Sequence, residues 1–378
     1  MNAESTSGES TTPAVSRRSD NEMKRNSFDW GIHYLRAFAI VCILLNHLWW
    51  WVSPRAARAF FVGSTIYFLF ISGYLCQYLA IRHPTDPKTY YRRKWTNVVC
   101  PYLFWSLLVL LVVHFTGTER VGVISPDMLS WRNLPRVFLF GWAQIPYWYI
   151  PFVCILFLVS PYLLRLNDHG LILLFFAFVS LAACIPVRPD ARIDGDPVSF
   201  ALQYTCFGWS YLLGFVYARF KSKIDPFLNS FAIPALVFGV LLGFRTLHPE
   251  WFVLSCISTD ALKPFSSIFV LGGWSAQALQ KLFLLVPVIV LTNRFSGKRM
   301  ALLDWLAQCS FTMYFAHYFF VTDFVRLYRM ILLELNPEPF LRGGVICGVS
   351  LLFVMFNLFL SMILKRLFGR WSRRFIGS

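Results

Sequence analysis

Apolar runs of about 17–22 residues alternate along the chain with short polar stretches that are often basic. They fall at about 34–53, 59–81, 97–115, 147–165, 170–186, 203–219, 230–247, 278–293, 306–328 and 343–364. A helix of that length crosses a hydrocarbon layer of about 30 Å. Backbone polar groups in lipid must be satisfied within their own segment, which favours helices. A membrane β-barrel would show alternating strands of about ten residues, and these runs are continuous. The pattern therefore predicts an all-α fold, a polytopic integral membrane helix bundle of about ten transmembrane helices. The stretch 251–273 is apolar enough to compete as a span, but Asp260, Lys263, Pro264, Gly272 and Gly273 interrupt it. It is expected to be a partly embedded outer segment.

Composition agrees with this reading. Hydrophobic residues make up 57% of the 378 and charged residues only 14%, against roughly 25% charged in soluble domains. Residues 1–30 are rich in Ser, Thr and charge and lack an apolar core, so they read as a disordered cytoplasmic tail rather than a cleavable signal peptide. Residues 31–366 form the transmembrane domain, and 367–378 a basic cytoplasmic tail. The cysteines lie mostly inside apolar runs (Cys42, Cys76, Cys154, Cys184, Cys309, Cys347) without CxxC spacing. They read as core-packing residues, and no metal site or disulfide framework is predicted.

The net charge of +16 would suit nucleic acid if the cations formed one surface. Instead they form short clusters between runs, as topology signals and contacts to anionic lipid do. With the N-terminus inside, the inner clusters are Arg17, Arg18, Lys24 and Arg25; Arg82, Lys88, Arg92, Arg93 and Lys94; Arg165; Arg219, Lys221 and Lys223; Arg294, Lys298 and Arg299; and the C-terminal group from Lys365 to Arg374. The outer loops hold most of the acids, including Glu119, Asp127, Asp190, Asp194 and Asp196. This asymmetry predicts an even number of spans with both termini cytoplasmic.

Ionisable residues inside spans are costly and normally face a bundle interior or an aqueous cavity. The first run, YLRAFAIVCILLNHLWWW, opens on Arg36 and carries Asn46-His47 near its far end. Eleven residues at about 100° each place Arg36 and His47 on one helix face about 16 Å apart. Each also has a plainer reading. Arg36 would snorkel to the interface, and His47 would join an aromatic belt with Trp49, Trp50 and Trp51.

Arg36, ten intervening residues and His47 together resemble the R-x10-H signature of membrane acyltransferase family 3. Other blocks resemble the family in its order: FLFISGY at 68–74, YYRRKWTNVVCPYLFW ending at Trp105, Trp148-Tyr149, and SFTMYFAH at 310–317. One departure is Asn97, where many members carry the second arginine of an R-x-x-R pair. The resemblance covers roughly 34–365. It implies a multi-pass O-acyltransferase in a bacterial inner membrane that moves an acetyl group from cytoplasmic acetyl-CoA to a sugar hydroxyl of a surface or exported polysaccharide.

On that resemblance, His47 acts as general base or as acyl-carrying nucleophile, since an imidazole titrates near working pH. Arg36 binds the donor's phosphates or pantetheine carbonyls. Arg92, Arg93 and Lys94 assist at the cytoplasmic mouth, and Ser72 lines the thioester channel. Trp148, Tyr149, Tyr314 and His317 line the acceptor side. Plainer readings stand beside these: topology charge for the basic cluster, helix packing for Ser72, interfacial anchoring for Trp148 and Tyr149, and a satisfied interhelical histidine for His317. Expected partners are acyl-CoA, a glycan acceptor that is free or lipid-linked, and membrane lipids, with no nucleic acid and no permanently bound cofactor. The alternative from another class is an exporter of a glycan or lipid-linked precursor, which needs no reactive histidine.

Overall fold

A computed structural model describes residues 28–52, 59–116, 130, 132–166, 170–183, 197–245, 276–335 and 338–377. The N-terminal tail up to residue 27 and the interrupted stretch 251–273 lie outside them. Every regular element among the described residues is helical. The helices are α1 (Trp30–Val52), α2 (Thr65–Arg82), α3 (Pro87–Lys94), α4 (Cys100–Thr116), α5 (Leu134–Phe140), α6 (Tyr149–Arg165) and α7 (Gly170–Ala183). They continue with α8 (Pro197–Arg245), α9 (Ala276–Arg294), α10 (Ala301–Ala316), α11 (Tyr318–Leu335), α12 (Pro339–Phe368) and the short α13 (Ser372–Phe375).

Among the described residues, seven helices are long and apolar enough to cross a membrane: Trp30–Val52, Ala59–Arg82, Pro87–Phe115, Ile145–Arg165, Phe207–Phe244, Ala278–Gly297 and Leu341–Phe375. Their outer faces show why they need lipid. Ile233 is 76% exposed, Leu351 65% and Leu107 53%, an apolar surface that water would not tolerate at this extent. The protein is a multi-pass helical membrane protein.

Four expected spans differ in detail. Those at 203–219 and 230–247 lie within α8, whose helical geometry breaks at Phe220 (φ −112°, ψ 19°). Before the break, Gly214 packs on the backbone of Phe70 and Tyr74; after it, Gly243 packs on Phe60 and Gln280. Phe60 lies ten residues before Phe70, so the second arm runs back in the direction opposite to the first. Gly73 and Gly214 make this crossing possible, because a Cβ at either would strike the partner backbone. The expected span 306–328 is broken at His317 into α10 and α11. The expected span 170–186 is only the 14-residue α7.

Helix α1 is the centre of the bundle, packed by α2, α9, α10, α11 and α12. Tyr34, Leu35, Ala37, Ala39, Ile40 and Leu44 are all fully buried on it, which leaves its polar residues facing protein. Cys42, Cys76 and Cys309 are buried as expected, whereas Cys347 is exposed on α12. That position faces outward from the bundle, so it corrects the core-packing expectation for Cys347.

Candidate active site

The break at His317 builds the first part of the site. The His317 imidazole is fully buried. Its Nδ1 lies 2.8 Å from the Tyr314 carbonyl and 3.2 Å from that of Met313. Both are acceptors, so Nδ1 carries the proton and Nε2 presents a lone pair. That Nε2 is buried with no protein partner. The Tyr314 carbonyl is one that a continuing helix would use, so the side chain takes over where the helix breaks. The His47 ring packs against His317 with centroids 5.1 Å apart and planes at 41°. Tyr318 closes edge-on against both, at 5.3 Å from His47 and 6.1 Å from His317.

From this pair a row of polar side chains leads toward Arg36. Tyr314 lies 6.3 Å from His317, and Tyr149 lies 5.8 Å from Tyr314, centroid to centroid. The Tyr149 hydroxyl is 3.1 Å from Ser72 Oγ and within electrostatic reach of the half-buried Arg36 guanidinium. Five of the residues expected from sequence (Arg36, Ser72, Tyr149, Tyr314, His317) thus join His47 in one internal row.

A tight turn delivers Tyr149 into it. Gly141 adopts φ 73°, a left-handed conformation that glycine takes without penalty. A Cβ there would also strike the backbone of Tyr147 and Trp148. The single helical turn Ile145–Trp148 follows. It is pinned from both sides: Tyr147 donates its hydroxyl to the Phe315 carbonyl at 2.9 Å, and Tyr314 donates to the Pro146 carbonyl.

Trp148 does not join the row. Its ring packs on Phe152 and Phe207, at 6.0 and 5.5 Å, because consecutive residues at a helix start point to different faces. The basic cluster divides as well. Arg92 and Arg93 are exposed. Lys94 turns inward, with Nζ 3.8 Å over the Phe157 ring and 5.3 Å over Tyr90. The π-helical turn Trp95–Val99 directly after it re-aims the side chains that follow.

Three polar groups escaped the sequence reading. Asp29, just ahead of α1, caps Ile32 N–H at 3.1 Å, accepts from the Tyr74 hydroxyl at 2.5 Å and pairs with Lys221 at 2.7 Å. Burial alone would raise its carboxyl; the Lys221 ammonium and the donated hydrogen bonds outweigh that and hold it below its usual value. His33 Nε2 lies 2.9 Å from Asp304, which Arg299 and Gln308 also contact, at 3.1 and 2.8 Å. Lys281 is fully buried and donates to the carbonyls of Phe60 and Ala59. The aspartate directly ahead of the first run is a helix-start signal legible in sequence. The partners of all three are far away in the chain and carry no such mark.

The central helix of this membrane bundle thus carries a half-buried histidine near one end and a half-buried arginine near the other. The family model described as an acyltransferase domain, that of acyltransferase family 3, matches residues 29–374, and the chain belongs to that family. No curated protein and no solved structure matches it.

Proposed function

We propose that the protein is an O-acyltransferase that carries an acetyl group from cytoplasmic acetyl-CoA to a sugar hydroxyl of a surface or exported polysaccharide. The observation that carries this reading is the row from Arg36 through Ser72, Tyr149 and Tyr314 to the His317–His47 pair. An internal line of polar groups in a bilayer protein is costly without a substrate to serve. Arg36, a permanent cation with planar donors, suits the anionic donor. At the far end His47 removes the proton of the acceptor hydroxyl while its oxygen attacks the thioester carbonyl. The carbon–sulfur bond then breaks, and the proton passes to the departing thiolate. If His47 instead takes the acyl group on nitrogen first, the same overall balance holds. In both routes the His317 Nε2 lone pair offers a resting place for the proton.

The orientation belongs to the same proposal: ten crossings, both termini cytoplasmic, in a bacterial inner membrane. The reversal of α8 at Phe220 supports the count, and the basic clusters support the orientation. Lys94 then lies at the cytoplasmic mouth as the inward cation for a CoA phosphate.

The test is mass analysis of surface glycans from a deletion strain rescued with wild type or with His47→Ala. Loss of an acetyl-sized substituent in the deletion, restored by wild type alone, is expected. Normal acylation with His47→Ala would overturn the reading. Failed polymer export with acylation intact would favour a transporter.

A further inference from the structure

Beyond α12 the chain turns back into the bundle. Gly369 takes a positive φ of 49° that favours glycine. Helix α13 then packs against α4 and against the π-helical turn Trp95–Val99. Ile376 is fully buried, and its carbonyl accepts from Thr312 of α10 at 2.9 Å. Phe375 packs on Phe104 of α4 at 5.7 Å. Lys365, just ahead of this segment, bonds Gln308 at 3.1 Å, and Gln308 bonds Asp304, the partner of His33. Residues 369–377 therefore form a strap across the end of the bundle where α1 begins, tied to α4 on one side and α10 on the other.

The strap carries three arginines in different surroundings. Arg370 and Arg374 both stack on the Trp371 ring, at 5.6 and 5.2 Å. Arg373 lies within electrostatic reach of Arg36. Among the described residues, no carboxylate forms an ion pair with either Arg36 or Arg373. Asp304, the acid of the adjoining network, is already engaged by His33, Arg299 and Gln308. Cys309 lies within reach of Arg36 and of a further cation, Lys365.

Two guanidinium groups held near each other without an acid repel unless an anion joins them. A phosphate accepts from two such forks at once. Arg373 is exposed and Arg36 half-buried, so an anion can enter from outside the bundle and meet both.

We propose that Arg373 is a second donor-binding residue, which together with Arg36 clasps the phosphates at the nucleotide end of CoA. The pantetheine arm then runs along the row toward His47, the roughly 16 Å that eleven helical residues span. The inference rests on the acyl-transfer reading and adds to it a residue from the far end of the chain.

Two measurements on the purified full-length protein in phosphatidylcholine nanodiscs test it. In the first, CoA binding is followed by calorimetric titration. Arg373→Gln is expected to bind at least tenfold more weakly than wild type, the scale of a lost charge-assisted pair. The double variant Arg370→Gln, Arg374→Gln is expected to stay within about twofold. Unchanged affinity in Arg373→Gln overturns the inference, as does an equal loss in the double variant, which would mark general surface charge. Unchanged affinity with a lower unfolding temperature only in phosphatidylglycerol nanodiscs would assign Arg373 to lipid headgroups, and also overturns it. In the second, kcat/KM is compared for acetyl-CoA and for acetyl-pantetheine, which carries no phosphate. Arg373→Gln is expected to lower the first and leave the second at the wild-type value. Equal slowing with both donors would make the strap's role structural and overturns the inference. If CoA binding depends on Arg373 but no acetyl group is transferred, the acyl-transfer reading fails and the clasp stands.

Discussion

The rings of His47 and His317 meet at 5.1 Å across the break between α10 and α11, and His317 holds its only free lone pair on a nitrogen buried without a partner. Two helices distant in sequence thus place two imidazoles together in the interior. Buried polar atoms are nearly always satisfied, and in the proposed reaction the unsatisfied basic nitrogen beside His47 is the group that receives the proton.

His47→Ala and His317→Ala are therefore expected to lower acyl transfer by roughly 100-fold or more, the scale of a lost acid–base group. His317→Gln separates function from packing, because its amide fills the space without a basic nitrogen. Initial rates of thiol release with acetyl-CoA and acceptor, alongside circular dichroism, check this. Wild-type rates in His317→Gln would exclude a proton role.

At the other end, Arg36→Gln is expected to raise KM for acetyl-CoA about tenfold or more with a smaller change in kcat, since it removes the charge proposed to hold the donor. Tyr149→Phe, which loses only the hydroxyl shared with Ser72, is expected to cost less. Steady-state kinetics over a range of donor concentrations distinguish them.

The division of the basic cluster gives a third expectation. Lys94→Gln removes the inward cation over Phe157 and is expected to weaken donor binding several-fold. The double variant Arg92→Gln, Arg93→Gln changes two exposed side chains and is expected to leave KM within about twofold. Comparing KM for acetyl-CoA in the two variants decides it. Equal effects would mean that the three act only as topology charge.

Asp29 and Lys221 offer a pH test. The folded Asp29 carboxyl is held below its usual value, so its contribution is complete above the ordinary carboxylate range. It is lost as pH falls through the folded value. Asp29→Asn is expected to cost about 2 kcal/mol near neutral pH and to flatten the acid limb of the Tm profile. An unchanged acid limb would show that the pair does not contribute.

Gly214→Ala tests the helix crossing. A methyl group there meets the Phe70 carbonyl and Tyr74 nitrogen, and backbone cannot yield as a side chain does. A loss of about 1–3 kcal/mol is expected from overpacking, read as a lower unfolding temperature in detergent. Gly348→Ala, which meets nothing, serves as the control.

Much of this was legible in the chain. Helical periodicity alone put Arg36 and His47 on one face, and the late block at 310–317 pointed to Tyr314 and His317. What the chain hid was contact between distant segments. The run 306–328 reads as one apolar helix, and its break at His317 comes from a side chain that takes a backbone carbonyl, which hydropathy does not record. Trp148 and Tyr149 look equivalent as a pair, yet one residue of helical rotation sends them to different surroundings. Asp29 and Lys221 stand 192 positions apart, beyond any spacing rule. Arg92, Arg93 and Lys94 look alike until a helix start at Asp86-Pro87 and the π-helical turn set which of them faces inward.

The reciprocal bonds between Tyr147 and the Phe315 carbonyl and between Tyr314 and the Pro146 carbonyl clasp backbone to side chain in both directions. The turn carrying Tyr149 and the helix carrying Tyr314 must then travel as one body. An alternation of access that exposes the row first to one face of the membrane and then to the other has to pivot elsewhere. Phe220, where helical geometry gives way, is a joint the described chain provides for it.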